Sequence, residues 1–141
     1  MATLPSILIL GPDAFAAARP ATPVQLIHGC RAWGFSGVVP SSWGDELIAH
    51  EIIRRCAARP GRPTLQCSCP KVAQRIAEHA ATLEDCVLWL VPPAVATARY
   101  VKALDPSRDV HVTYAGACPA NDPSIDERIS PFELIAGLAA R

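Results

Sequence analysis

Residues 63 to 72 read "PTLQCSCPKV", a short β-forming run that meets two cysteines and is stopped by a proline. Thr64 to Cys67 is expected as a strand, and Pro70 suits the first turn of a helix presenting Val72, Ile76 and Ala80 on one apolar face. A strand that hands over to a helix within three residues is the unit of a parallel α/β sheet. The fold depends on whether that unit recurs along the chain.

It does recur. Upstream, "SILIL" (Ser6 to Leu10) is a compact apolar strand ended by Gly11-Pro12. Thr22, Pro23 and Gln25 then form a cap, first-turn proline and capping box, so a helix is expected over 22–33 with Leu26, Ile27, Cys30 and Trp33 on one face and Gly34 as its stop. Gly37-Val38-Val39 is a second strand. Ser41-Ser42 opens the helix "GDELIAHEIIRRC", acidic at its start and basic at its end as the helix dipole favours. Downstream, Val87 to Val91 is an apolar run too short for periodicity to decide between strand and buried loop. Pro92-Pro93 leads a helix to about Leu104, Val110 to Tyr114 is a strand, and Ser130-Pro131-Phe132-Glu133 repeats the capping logic before "LIAGLAA". Alternating short strands and helices imply an α/β fold: a three-layer, open, mostly parallel sheet of about four strands with helices on both faces.

The 141 residues fit one domain spanning 1–141, standing alone or as the N-terminal part of a longer protein, with enough chain to bury a core. Thirteen basic and thirteen acidic side chains cancel, which argues against nucleic acid or an anionic membrane as the partner. No apolar run reaches the length of a membrane span and the start lacks a secretory pattern, so a cytoplasmic protein is expected. In a reducing compartment the six cysteines are core residues, reactive thiols or metal ligands rather than disulfides. Cys30 and Cys56 fall on helices and are assigned to the core. Cys67, Cys69 and Cys118 stand at or just past strand ends, where ligands collect in open α/β sheets. Cys86, ahead of an apolar run, stays open between core and site. The four histidines have no zinc-motif spacing, and Gly11-Pro12-Asp13 lacks a phosphate-binding glycine pattern.

The stretch from "PTLQCSCPKV" through "VTYAGACPANDPSIDERISPFEL" resembles the catalytic domain of iron-only hydrogenases, whose first cluster motif is a Thr-Ser-Cys-Cys-Pro stretch heading a helix. Upstream, "LILGPDAFAAARPATPVQLIHGCRAWGFSGVVPSSWGDELIAHE" is similar to the opening of the same family, so motif order and spacing agree over about residues 6 to 138. The resemblance implies one lobe of a two-lobed domain. Cys69 and Cys118 match the family's cysteines that bind a four-iron four-sulfur cluster. Ser68 stands in place of the proton-donating cysteine and is a far poorer acid; Asn121 replaces the lysine of the second motif, Pro-Cys-x-x-Lys. The third motif and the ferredoxin-type cysteine run have no counterpart.

Because a four-iron cluster takes four thiolates, either Cys67 and Cys86 complete the set or two chains each give two cysteines across a homodimer interface. The expectation is a non-catalytic, hydrogenase-like domain for redox sensing or protein interaction, with a partner protein or further domains of the same protein. The alternatives are a Cys-x-Cys thiol-disulfide oxidoreductase using Cys67 and Cys69, and a metal-free interaction module.

Overall fold

A computed structural model describes residues 4–104, 106–107 and 109–140. Strand β1 (Ser6–Leu10) runs into a short helix α1 (Pro12–Ala17), then helix α2 (Pro23–Trp33), strand β2 (Gly37–Pro40) and helix α3 (Ser42–Ala57). Strand β3 (Leu65–Cys67), helix α4 (Pro70–His79), a 3-10 helix (Ala81–Cys86) and strand β4 (Val87–Trp89) follow. Helix α5 (Pro93–Leu104), strands β5 (His111–Ala115) and β6 (Glu127–Ile129), and helix α6 (Pro131–Ala139) complete the chain. The two predicted capping boxes are formed: the Gln25 N–H donates to Thr22 Oγ1 at 3.3 Å, and the Glu133 N–H to Ser130 Oγ at 3.1 Å. Gly34 ends α2 at φ 123, a conformation that a side chain would disfavour.

The main sheet has the order β2-β1-β5-β6 and every pairing in it is parallel. Strand alternation sends β1 side chains to two cores. Leu8 and Leu10 meet Ala14, Leu26, Cys30 and Leu134 from α1, α2 and α6, whereas Ile9 meets Ala94, Ala98 and Val101 from α5. Helices therefore cover both faces, as the α/β reading requires. Helix α3 lies along α5. The approach is close enough that a side chain at Gly44 would collide with the Pro93 carbonyl, and the buried Thr97 hydroxyl lies 3.1 and 2.9 Å from the Ser41 and Pro93 carbonyls.

Three features differ from the sequence-based expectation. The strand at 65–67 does not join the main sheet but pairs with β4 in a separate two-stranded parallel sheet. Helix α4 forms where Pro70 predicts it, yet none of its residues is buried and Val72 is 48% exposed. Its amphipathic pattern is genuine, but the two-stranded sheet offers too little surface to cover it. Helix α1 and strand β6 escape the sequence because each is too short to show a period. Among the described residues no helix is long and apolar enough to cross a membrane.

Candidate functional site

Three strand ends converge on one crevice. Pro70 from the β3–α4 junction, Val91 and Pro92 from the β4–α5 junction, and Pro119 and Asn121 from the loop after β5 line a cavity of about 390 Å³. Cys69 and Cys118 are the immediate neighbours of two of these prolines, so the residues singled out by motif lie next to a shared cavity, on the side of the sheets where ligands of α/β folds collect.

The two cysteines are held differently. Cys69 is the N-cap of α4, exposed, in extended conformation and with no side-chain capping bond. Cys67 is 4% exposed and its thiol donates to the Cys69 carbonyl at 3.7 Å, turned back toward its own chain. Cys118 is half-buried and packs on the second core beside Tyr114. Cys86 is half-buried at the end of the 3-10 helix. Among the described residues no three cysteine, histidine, aspartate or glutamate side chains stand together as a metal site. One chain alone thus presents no four-thiolate set of the kind a four-iron cluster takes. Cys30, fully buried between α2 and the sheet, has its thiol pushed up to about 11 by burial, in keeping with a core role. Cys56, half-buried on α3, lies 3.6 Å from the Thr64 hydroxyl.

Residues that sequence reasoning passed over fix the loop carrying Cys118. Asp13 at the start of α1 accepts from the Ala117 N–H at 2.5 Å, and the Arg128 guanidinium bonds the carbonyls of Cys118 and Ala120. Asp122 accepts from the Ser124 N–H and hydroxyl at 3.0 and 2.6 Å and pairs with Arg99 at 2.5 Å. The Arg99 bond, then those from Ser124, hold the Asp122 carboxyl down at about 2. Burial first, then the Asp13 and Cys118 charges, push the Tyr114 phenol up to about 12. Asp122 and Ser124 make a local turn, but Asp13 and Arg128 reach the Cys118 loop only through the β1–β5–β6 pairing, and Arg99 reaches it from α5.

An open parallel α/β domain with cysteines at its strand ends is the class that the architecture defines. The family model for the iron only hydrogenase large subunit, C-terminal domain, matches residues 2–126, and the chain belongs to this family. Among solved structures it is similar to a FeFe-hydrogenase described in stepwise H-cluster assembly (TM-score 0.73, 18% identity, covering 98% of this chain and 42% of that one). It is also similar to an apo FeFe-hydrogenase variant from Chlamydomonas reinhardtii (TM-score 0.70, 19% identity, 98% and 43%). A third FeFe-hydrogenase, described for oxygen inactivation through its H-cluster, gives a TM-score of 0.71 at 18% identity, with 98% and 43% coverage. At these identities the likeness is one of fold, and the chain spans about two fifths of the length of those structures. No curated protein matches the chain.

Proposed function

We propose that this hydrogenase-like domain neither makes nor splits hydrogen but works in redox sensing or protein interaction. In this reading Cys69 and Cys118 are two ligands of an iron-sulfur cluster whose other ligands come from a partner protein, a further domain or a second copy of the chain. The observation that carries it is the shared cavity: the residues next to both cysteines line one crevice although the cysteines ride on different sheets. The chemistry agrees, since two thiols at an open edge are half of what a four-iron cluster takes. Ser68, where the family resemblance expects an acidic thiol, is too weak an acid to pass protons near neutral pH.

The test is iron and acid-labile sulfide content, with the visible spectrum, on protein purified and reconstituted without oxygen. About four irons per two chains, lost in Cys69→Ala and in Cys118→Ala, is the expected result. A folded, colourless protein after reconstitution would overturn a cluster shared by two copies of the chain and favour a metal-free interaction module unless an added partner restores the iron. A thiol-disulfide reading draws on the exposed Cys69 two residues from Cys67; it requires a Cys67–Cys69 disulfide to form as a substrate disulfide is reduced, and loss of that exchange in Cys69→Ala with Cys118→Ala unaffected.

A further inference from the structure

We propose that Arg128, assisted by Asp13, is a positioning clamp that holds the Cys118 loop closed and so sets the exposure of the Cys118 thiol at the edge of the crevice. The problem the clamp solves is local. Pairing between β5 and β6 ends at Ala115 and Ile129, with one further bond from the Gly116 N–H to the Ile129 carbonyl at 3.1 Å. Beyond it the chain passes through Pro119 and Pro123, which lack N–H groups and break any continuing ladder. The loop carbonyls must therefore find donors elsewhere or turn to water.

The fold supplies a donor by register. Arg128 is the direct partner of Tyr114, so its side chain emerges on the face of the second core, where Tyr114 and Cys118 lie, while its neighbour Ile129 faces the first core. The guanidinium stands 6.0 Å from the Tyr114 ring centre and spans the Cys118 and Ala120 carbonyls with two different nitrogens. A planar fork can hold two carbonyls at a fixed separation; an ammonium on a flexible stem cannot do so with the same geometry. Asp13 closes the other side through the Ala117 N–H, one residue before Cys118, and is itself fixed by the Ala14 N–H at 3.1 Å. Cys118 is thus bracketed by charge-assisted bonds on both sides, whereas among the described residues no charge-assisted bond holds Cys69.

The inference builds on the role proposed for Cys118, but its test needs no cluster, so an iron-free protein leaves it intact. The readout is the iodoacetamide alkylation rate of each cysteine in the native full chain, followed by peptide mass spectrometry. Each event forms a carbon–sulfur bond, breaks a carbon–iodine bond and releases iodide, with the thiol proton passing to buffer. In the unaltered protein Cys69 should react faster than Cys118. In Arg128→Met the Cys118 rate should rise about tenfold, the change expected when a charge-assisted bond no longer holds the closed loop. Cys69 should be unchanged, and Arg128→Lys should fall between. Asp13→Asn should give a smaller rise at Cys118 alone. An unchanged Cys118 rate in Arg128→Met, or an equal acceleration of both cysteines, would overturn the clamp.

Discussion

Strands β1 and β3 are both short β-forming runs ended within three residues by proline, yet they finish in opposite circumstances. β1 sits between β2 and β5, and Leu8 and Ile9 are wholly buried, one on each face. β3 has one neighbour, its Leu65 is 46% exposed, and the helix that follows it has no fully buried residue. The difference is what stands above each strand. Three helices close over one face of the main sheet and α5 over the other, while β3 belongs to a sheet of two strands in which only β4 is well covered, at Val87 and Leu88, and two strands alone are marginal. The proposed site joins these regions: Cys118 follows the four-stranded sheet and Cys69 follows the more exposed strand of the two-stranded one.

The largest effect that would separate the two is a core truncation. Leu8→Ala should lower the unfolding free energy by about 3 kcal/mol, because the site is sealed between β1 and the helices and cannot collapse. Leu88→Ala, equally buried on β4, should cost less than half as much, since a two-stranded sheet can relax around the gap. Equal costs in urea titrations would break the comparison. Next in size, Gly44→Ala should cost about 2 kcal/mol, because the new methyl meets the Pro93 backbone rather than a movable side chain. If its midpoint matches that of the unaltered protein, α3 does not lie as close to α5 as described.

A smaller effect sharpens the link between the regions. The Arg55 guanidinium donates to the Trp89 carbonyl at 3.1 Å while bonded to Glu51 at 2.6 Å, so α3 tethers the end of β4. Arg55→Met should speed amide hydrogen exchange in β3 and β4 about fivefold, the consequence of one modest hydrogen bond lost, and leave β1 and β5 unchanged. Exchange that rises uniformly across both sheets would show that the two-stranded unit does not open on its own.

Much of this was legible in the sequence because it is local. The boxes at Thr22 and Ser130, the stop at Gly34 and the proline starts at 23, 70 and 131 act within four residues, and each appears where the pattern places it. Sheet membership is not local: the run at 64–67 reads as one more strand of the alternating pattern, and only tertiary pairing decides that it leaves the main sheet. The site divides the same way. Cys69 and Cys118 are visible as cysteines before prolines at strand ends, but Asp13 and Arg128 reach the Cys118 loop through register, from 104 and 10 residues away in sequence. No pattern of spacing announces a bond of that kind.

The smallest expected effect concerns the far end of the same loop. Asp122 is held at about 2, chiefly by Arg99 and then by Ser124, against an ordinary value of 3.8. A carboxylate depressed on folding adds stability that is complete above about pH 5 and is lost as pH falls through the folded value, since the unfolded chain takes up the proton first. Arg99→Met should therefore lower the melting temperature by a small margin at pH 7, and the gap between variant and unaltered protein should narrow between about pH 4 and 2. Because the Arg99 side chain is largely exposed, salt should shrink the gap as well. Among the described residues no comparable ion pair ties the Cys69 turn, so exchange in the 117–124 loop should respond to acid over this range while that of the Cys69 turn does not. A gap that persists unchanged to pH 2 would mean that Arg99 acts by packing on α5 and that the loop is held by Arg128 and Asp13 without it.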